Sequence, residues 1–300
     1  YPPTMTERIR MGLLKPLFAV LGSIALVLST PAFAAAAATV EAVQSPAWRD
    51  RGGVTVPLAA GMELKSGDVL RTGPGARAYL MLAEGSRVKL GESARFSLHS
   101  RSLQPEKVFR GALDILAGAF RFTTGKLKKT LPREVAIRVG TATIGIRGTD
   151  LWGKTDRDGD LVALIEGRIE ITRAGQATEM GQPMTFYDAP IGKAAEVKVL
   201  DAETFVKLTR QTEILPGDGA SRAKGKWRVS AGSAASEEAA LELYDQVREA
   251  GFAARIRPSE VEGGGLRYEV RLGGFVSAAE AEVAAARLQA ATGIKPVVGR

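Results

Sequence analysis

Between residue 40 and about residue 190, apolar and polar positions alternate in short runs. Residues 76–82 (ARAYLML), 86–90 (SRVKL), 94–99 (ARFSLH), 119–123 (AFRFT), 160–165 and 168–172 all follow this period of two. Such alternation puts one face of a strand inward and the other toward solvent. Turn signals punctuate the runs at Ser66-Gly67-Asp68, Gly73-Pro74-Gly75, Glu84-Gly85, Asp158-Gly159 and Glu166-Gly167. Short strands at this spacing predict an all-β sandwich or coiled roll. No long helical period interrupts the region, which argues against a βαβ nucleotide-binding fold.

Past Pro190 the pattern changes. Asp201 is placed to cap a helix from Ala202 to about Thr212, with Phe205 and Leu208 on one face. The next stretch, 215–226 (LPGDGASRAKGK), is rich in Gly, Ser and Lys and predicts a flexible linker. The remainder holds an internal repeat. Trp227, Val229, Gly232 and Ser236 match Tyr268, Val270, Gly273 and Ser277, each pair 41 residues apart. Each half reads strand, glycine turn, N-cap serine, helix, glycine, strand. Ser236 and Ser277 are helix-start signals, and Ser277 with Glu280 forms a capping box. Helical spacing buries Ala240, Leu243 and Val247 in the first helix, and Ala281, Ala284 and Leu288 in the second. Gly251 and Gly293 end them. The order is βαββαβ, a ferredoxin-like α+β sheet with both helices on one face and the other face open.

The N-terminus carries a third kind of pattern. Arg8, Arg10 and Lys15 precede an apolar stretch ending near Leu28, followed by Ala32-Phe33-Ala34. This is the layout of an export signal cleaved near Ala34. The apolar run after Pro16 is about a dozen residues, short of the roughly 20 that span a bilayer. The expected organisation is therefore a signal peptide at 1–34, a β domain at 38–190, a short helix and linker at 191–223, and an α+β domain at 224–300.

Composition narrows the chemistry. The chain has no Cys and a single His, His99. That removes disulfides, thiolate metal sites, cysteine nucleophiles and most imidazole relays. The net charge of +8 suits polyanionic surfaces without specifying one. The glycine-rich stretch 139–154 (VGTATIGIRGTDLWGK) suggests a phosphate cradle. However, Ile146-Arg147 stands where a P-loop needs Lys-Ser/Thr, and no helix follows. The structural reading is a strand with glycines at close approaches or bulges, and Arg147 paired with a carboxylate such as Asp150. Asp156 to Asp160 resembles the start of a calcium loop, but Leu161 and Gly167 fall where Gly and Glu are required. A hairpin turn at Asp158-Gly159 fits better. The open sheet lacks the stacking aromatics of an RNA-binding sheet. No nucleophile elbow or metal-ligand spacing appears, so no enzyme, metal or cofactor is expected.

Two stretches resemble known families. Gly61-x-x-Leu64-x-x-Gly67-Asp68-Val69-Leu70-x-Thr72, Glu84-Gly85-Ser86, Gly145-Ile146-Arg147-Gly148-Thr149-Asp150 and Glu166-Gly167-x-Ile169 resemble a FecR-type β domain. That resemblance implies a periplasmic module, coupled in some members to transmembrane signalling through a cytoplasmic segment. In this sequence the segment before it is expected to be an export signal. Residues 227–234 (WRVSAGSA) and 268–275 (YEVRLGGF) resemble the two strand motifs of a SPOR domain. This second resemblance implies binding to peptidoglycan, with preference for glycan strands stripped of stem peptides, often at the division septum. Two positions depart from that family's pattern: Ser230 replaces Gln and Ala234 replaces Phe.

Strand alternation puts Arg228, Ser230, Arg255, Arg257, Glu269 and Arg271 on the open face, with Ser233 beside them. Trp227 and Tyr268 turn inward. Guanidinium donors and serine hydroxyls suit the hydroxyls, acetamido carbonyls and lactyl carboxylates of a glycan. The expected function is that of an exported, non-enzymatic envelope protein holding peptidoglycan, with the β domain binding another envelope protein or wall polymer. No nucleic acid and no stable transmembrane anchor are expected. The alternative is a periplasmic sensor or scaffold whose main partner is a protein, the SPOR-like domain being accessory.

Overall fold

A computed structural model describes residues 36–100, 109–125 and 133–300. The expected signal peptide lies outside these residues. The β domain comprises β1 (Ala38–Gln44), β2 (Ala47–Arg51), β3 (Val54–Pro57), β4 (Glu63–Leu64), β5 (Val69–Thr72), β6 (Arg77–Leu82), β7 (Arg87–Leu90), β8 (Arg95–Ser100), β9 (Phe109–Thr123), β10 (Arg133–Val139), β11 (Ala142–Thr155), β12 (Gly159–Arg173), β13 (Gln176–Met180), β14 (Thr185–Pro190) and β15 (Glu196–Val199). The helix α1 (Ala202–Arg210) and the short β16 (Ser221–Arg222) lead to the second domain. That domain runs β17 (Trp227–Ala234), α2 (Glu237–Glu249), β18 (Ala254–Glu260), β19 (Leu266–Phe275), α3 (Ala278–Thr292) and β20 (Val297–Gly299).

The β domain is a two-layer roll whose layers share three long strands. The first half of β9 lies between β8 and a parallel β10; its second half lies between β7 and β11. Along β11 the neighbours change from β10 to β9, and along β12 from β14 to β13. One layer therefore runs β1-β6-β7-β9-β11-β12-β14-β15. The other runs β3-β2-β5-β8-β9-β10-β11-β12-β13.

The changes of layer fall at Gly118, Gly148 and Gly167, which hold φ of 82°, 62° and 92°. These left-handed angles suit glycine, and bulges of this kind bend a strand. A Cβ on Gly167 would strike the carbonyl of Gly148, where the adjacent strand bends in step. Glu166-Gly167, expected as a turn, is thus a bend inside one continuous strand. Asp158-Gly159 does form a turn: Asp156 N–H donates to the Gly159 carbonyl at 3.1 Å, joining β11 to β12.

The core lies between the layers. Leu70, Phe96, Leu98 and Ile144 from one layer and Leu80, Phe120, Phe122 and Leu151 from the other are fully or almost fully buried. Burying a side chain of this size contributes roughly 1.5–3 kcal/mol. The outer face of the first layer is also covered. Asp201 caps α1, its Oδ1 accepting from Thr204 N–H at 2.8 Å. Phe205 and Leu208 then pack on the cluster built around the buried Trp152. The helix stops at Arg210, two residues short of the expected end.

The segment that follows is no free tether. Ile214 and Ala220 bury with Ala42 and Tyr79 on the same outer face. The β16 pair bridges the domains, with Arg222 opposite Ala42 of β1 and Ser221 opposite Phe275 of β19. The buried carboxylate of Glu280 accepts N–H bonds from Gly217 at 2.8 Å, Gly219 at 2.6 Å and Ala220 at 2.9 Å. A composition suited to a flexible linker is fixed here by a carboxylate distant in sequence, which collects donors that would otherwise need water. The capping box expected at Ser277 is correspondingly half-made. Ser277 Oγ accepts from Glu280 N–H at 3.2 Å, while the Glu280 side chain turns to the linker.

The second domain has the expected βαββαβ order, with sheet order β20-β17-β19-β18, all antiparallel. Ala240, Val247, Ala281, Ala284 and Leu288 are buried as the helical spacing requires, and Leu243 packs against them. The glycines expected in turns, Gly232 and Gly273, sit within β17 and β19 instead.

This domain docks on the roll, and the described residues form one compact unit. Arg287 donates to the carbonyls of Ser45 at 3.1 Å and Gly75 at 3.0 Å. Ala47 N–H donates to the Gly251 carbonyl at 3.1 Å. Gly251 lies so close to Trp48 that a Cβ there would come within 2.5 Å of the indole ring.

Candidate binding face of the C-terminal sheet

The sheet register places the candidate residues in cross-strand rows. Ser230 lies opposite Arg271, which lies opposite Arg255. In the next row Ser233 faces Glu269, and Glu269 faces Arg257. Arg228 sits between Gly273 and Gly299. On the opposite face Val229, Val270 and Leu272 are buried against the helices, with Trp227, Tyr268 and Ile256 packed around them. The inward reading of Trp227 and Tyr268 therefore matches the packing.

Ser233 reaches the open side by a device that alternation does not contain. Strict alternation from Val229 would turn Ser233 inward. The register shifts between Ser230 and Gly232, so Ala231 is buried and Ser233 is exposed. A bulge of one residue resets the phase of the strand. It also turns Ala234 toward the core cluster, so the position where the family pattern has Phe is occupied by a small inward side chain.

The face is cationic and only partly self-neutralised. Arg271 approaches Glu269 at 3.5 Å, a loose and half-exposed pair. Arg228 donates to the backbone carbonyl of Arg300, which holds it near the chain end. Arg255 and Arg257 are exposed and have no ion-pair partner among the described residues. Two members of the face escaped the sequence reading. Arg267, opposite Ser259, continues the outward series of Glu269 and Arg271. Alternation alone would have found it. Val297 lies opposite Ser230 and is 68% exposed, its neighbour Val298 taking the inward place. Nothing in the sequence marked β20 strongly enough to show this.

The motif residues of the β domain are bound up in its own architecture. Asp68 is fully buried, receives Arg51 at 2.5 and 2.7 Å, and accepts the Lys65 N–H at 2.9 Å. Thr72 Oγ1 donates to the Gly91 carbonyl and accepts from Ala94 N–H. In the glycine-rich stretch, the place a phosphate would take is filled by the chain itself: the Asp160 carboxylate accepts the N–H and hydroxyl of Thr141 at 2.9 and 2.7 Å. The pairing expected of Arg147 lies outside the described side chains. Asp150, its expected partner, binds Arg121 at 2.9 and 2.8 Å.

Arg121 also reaches Glu213, which further binds Lys89 at 2.6 and 2.7 Å and accepts from the Tyr79 hydroxyl at 2.9 Å. Burial alone would raise the Glu213 pKa. The bonds from Lys89 and Tyr79 and the charges of Lys89 and Arg121 outweigh it and hold the carboxyl below its ordinary value. The Tyr79 hydroxyl is pushed up to about 12, first by burial, despite the N–H it accepts from Ile214. These groups fasten the segment after α1 to the roll.

Among the described residues no group of acidic and imidazole side chains could hold a metal ion, and no helix is long and apolar enough to cross a membrane. Comparison with known families identifies the two domains. The FecR protein model matches residues 68–170, and the SPOR domain model matches residues 223–299. The chain carries a FecR-type region followed by a C-terminal SPOR domain, the latter a class of peptidoglycan-binding module. Two crystal structures from Parabacteroides distasonis ATCC 8503, each described as a "putative anti-sigma factor", are similar. One is 12% identical with a TM-score of 0.37, covering 65% of this chain and 95% of that one. The other is 13% identical with a TM-score of 0.39, covering 75% and 91%. No curated protein matches.

Proposed function

We propose that this is an exported, non-enzymatic envelope protein that holds the glycan strands of peptidoglycan on the open face of its SPOR sheet. One observation carries the reading. The rows Ser230-Arg271-Arg255 and Ser233-Glu269-Arg257 set arginine and serine donors around one carboxylate acceptor on the side of the sheet away from the helices. A glycan presents acceptor oxygens along an extended chain, and ionised donors make the stronger hydrogen bonds to them. Strands stripped of stem peptides add free lactyl carboxylates, for which the arginines are suited. In this reading the protein works in the periplasm, and the β domain presents its surface to another envelope protein or wall polymer.

Sedimentation of the full chain with purified sacculi tests the proposal. Arg255→Ala and Arg271→Ala are each expected to weaken binding roughly three- to tenfold, since each removes a charged donor. Sacculi treated with an amidase should bind more protein than untreated ones. Wild-type binding by the double variant would remove the face from consideration.

A second reading is a sensor or scaffold whose main partner is a protein. It is favoured by the rigid docking of the domains through β16 and Arg287, which would pass occupancy of one domain to the other. Cross-linking of the full chain to one envelope protein, undiminished in the Arg255→Ala/Arg271→Ala double variant, would support it.

A further inference from the structure

Several arginines of the roll are matched to acids: Arg51 with Asp68, Arg71 with Asp50, Arg87 with Glu41, Arg121 with Asp150 and Arg138 with Asp114. The cleft between roll and SPOR domain gathers arginines with little such matching. It has a volume of about 430 Å³, and its lining mixes polar groups with apolar side chains of both domains, among them Val56 and Met62 from the roll and Tyr244 and Phe275 from the SPOR side. Arg222, Arg248, Arg255 and Arg287 line it, and no Asp or Glu does. Arg222, Arg255 and Arg287 have no carboxylate within ion-pair distance among the described residues, and Arg248 has only Asp245 at 3.9 Å. Arg287 spends its hydrogen bonds on two carbonyls. Burial, with Arg77 nearby, outweighs the opposing charge of Asp218 and makes the Arg287 charge harder to hold than that of an ordinary guanidinium.

We propose that this cleft is a second binding site, adjoining the open sheet at Arg255, for a small molecule that carries a carboxylate on an apolar body. The volume falls in the range of about 300–1,000 Å³ typical of small-ligand sites. The apolar part of the lining rewards the body, and one-signed charge in the cleft attracts the anion and raises its local concentration. A carboxylate matches the planar fork of a guanidinium in two parallel bonds. An acyl chain and a peptide with an acidic residue share this chemistry.

Calorimetric titration of the full chain with sodium decanoate, with the dipeptide Ala-Glu, and with uncharged 1-decanol separates the sources. Saturable binding of decanoate or of Ala-Glu, at least tenfold tighter than any binding of decanol, is expected, and the stronger arm identifies the ligand class. Two variants locate the site: Arg222→Ala removes a cation, and Ala60→Trp fills the space. Each should weaken the anion at least fivefold while leaving sacculus sedimentation unchanged, provided circular dichroism shows the fold intact. Absence of saturable binding by either anion overturns the proposal. So does binding that both folded variants retain at wild-type strength.

Discussion

Replacing Glu280 with alanine tests what makes this a single unit. Its carboxylate is buried and collects three N–H groups from the 217–220 segment at 2.6–2.9 Å. A hydrogen bond to a charged group contributes roughly 1.5–3 kcal/mol, and a buried donor left unmet costs about 1–3 kcal/mol. Three donors on one carboxylate do not add independently, so the expected loss is about 3–5 kcal/mol. Gln at this position keeps one acceptor oxygen for the Gly219 and Ala220 N–H groups but turns an NH₂ toward Gly217; its loss should be about 1–3 kcal/mol. The cap of α3 survives either change, because Ser277 Oγ provides it. Hydrogen exchange reads the effect locally. In the alanine variant the amides of Gly217, Gly219 and Ala220 should exchange roughly 10²–10³-fold faster, while core amides of β9 move less. Exchange of those three amides at the wild-type rate would show that the carboxylate does not hold the segment.

Other outcomes follow from the same geometry. Glu213→Gln should destabilise the protein at neutral pH. Because the folded pKa lies below the ordinary 4.5, the wild-type advantage is present above that value and lost as pH falls through the lower folded value. Denaturant melts at pH 7 and pH 3 check it; an equal difference at both refutes the assignment. Gly251→Val puts a side chain into Trp48 at a residue with φ of 84°, and a loss of about 2–4 kcal/mol with a shift in tryptophan emission is expected. Gly167→Ala should lower stability by about 1–3 kcal/mol in thermal melts through its collision with the Gly148 carbonyl.

The sequence by itself determined the elements and the domain types. Alternation located β6, β7, β8, β12 and the end of β9 in the roll and left its other strands unassigned. The 41-residue repeat fixed the βαββαβ order, and the serines before each helix marked the caps. These signals are legible because each depends on near neighbours: a side chain's face, a cap's N–H, a turn's φ. Alternation also found most of the open face, from Arg228 to Arg271. It could not justify Ser233, whose exposure depends on a bulge set by pairing with β19. Nor could it tell that Glu166-Gly167 bends a strand rather than ending it, since that depends on Gly148 bending alongside.

The tertiary structure alone decided how the domains join. Glu280 stands 60 residues or more from the amides it binds, and Arg287 more than 200 from its carbonyls. Local composition at 215–226 reads as a linker because glycine and serine carry few apolar contacts of their own. Their backbone donors are nevertheless available to any carboxylate that folding brings near, and one arrives. The glycines of VGTATIGIRGTDLWGK were legible as a pattern. Only the folded chain shows that Gly148 bends a shared strand, that Gly140 turns beside Asp160, and that the Asp160 carboxylate takes the N–H and hydroxyl of Thr141.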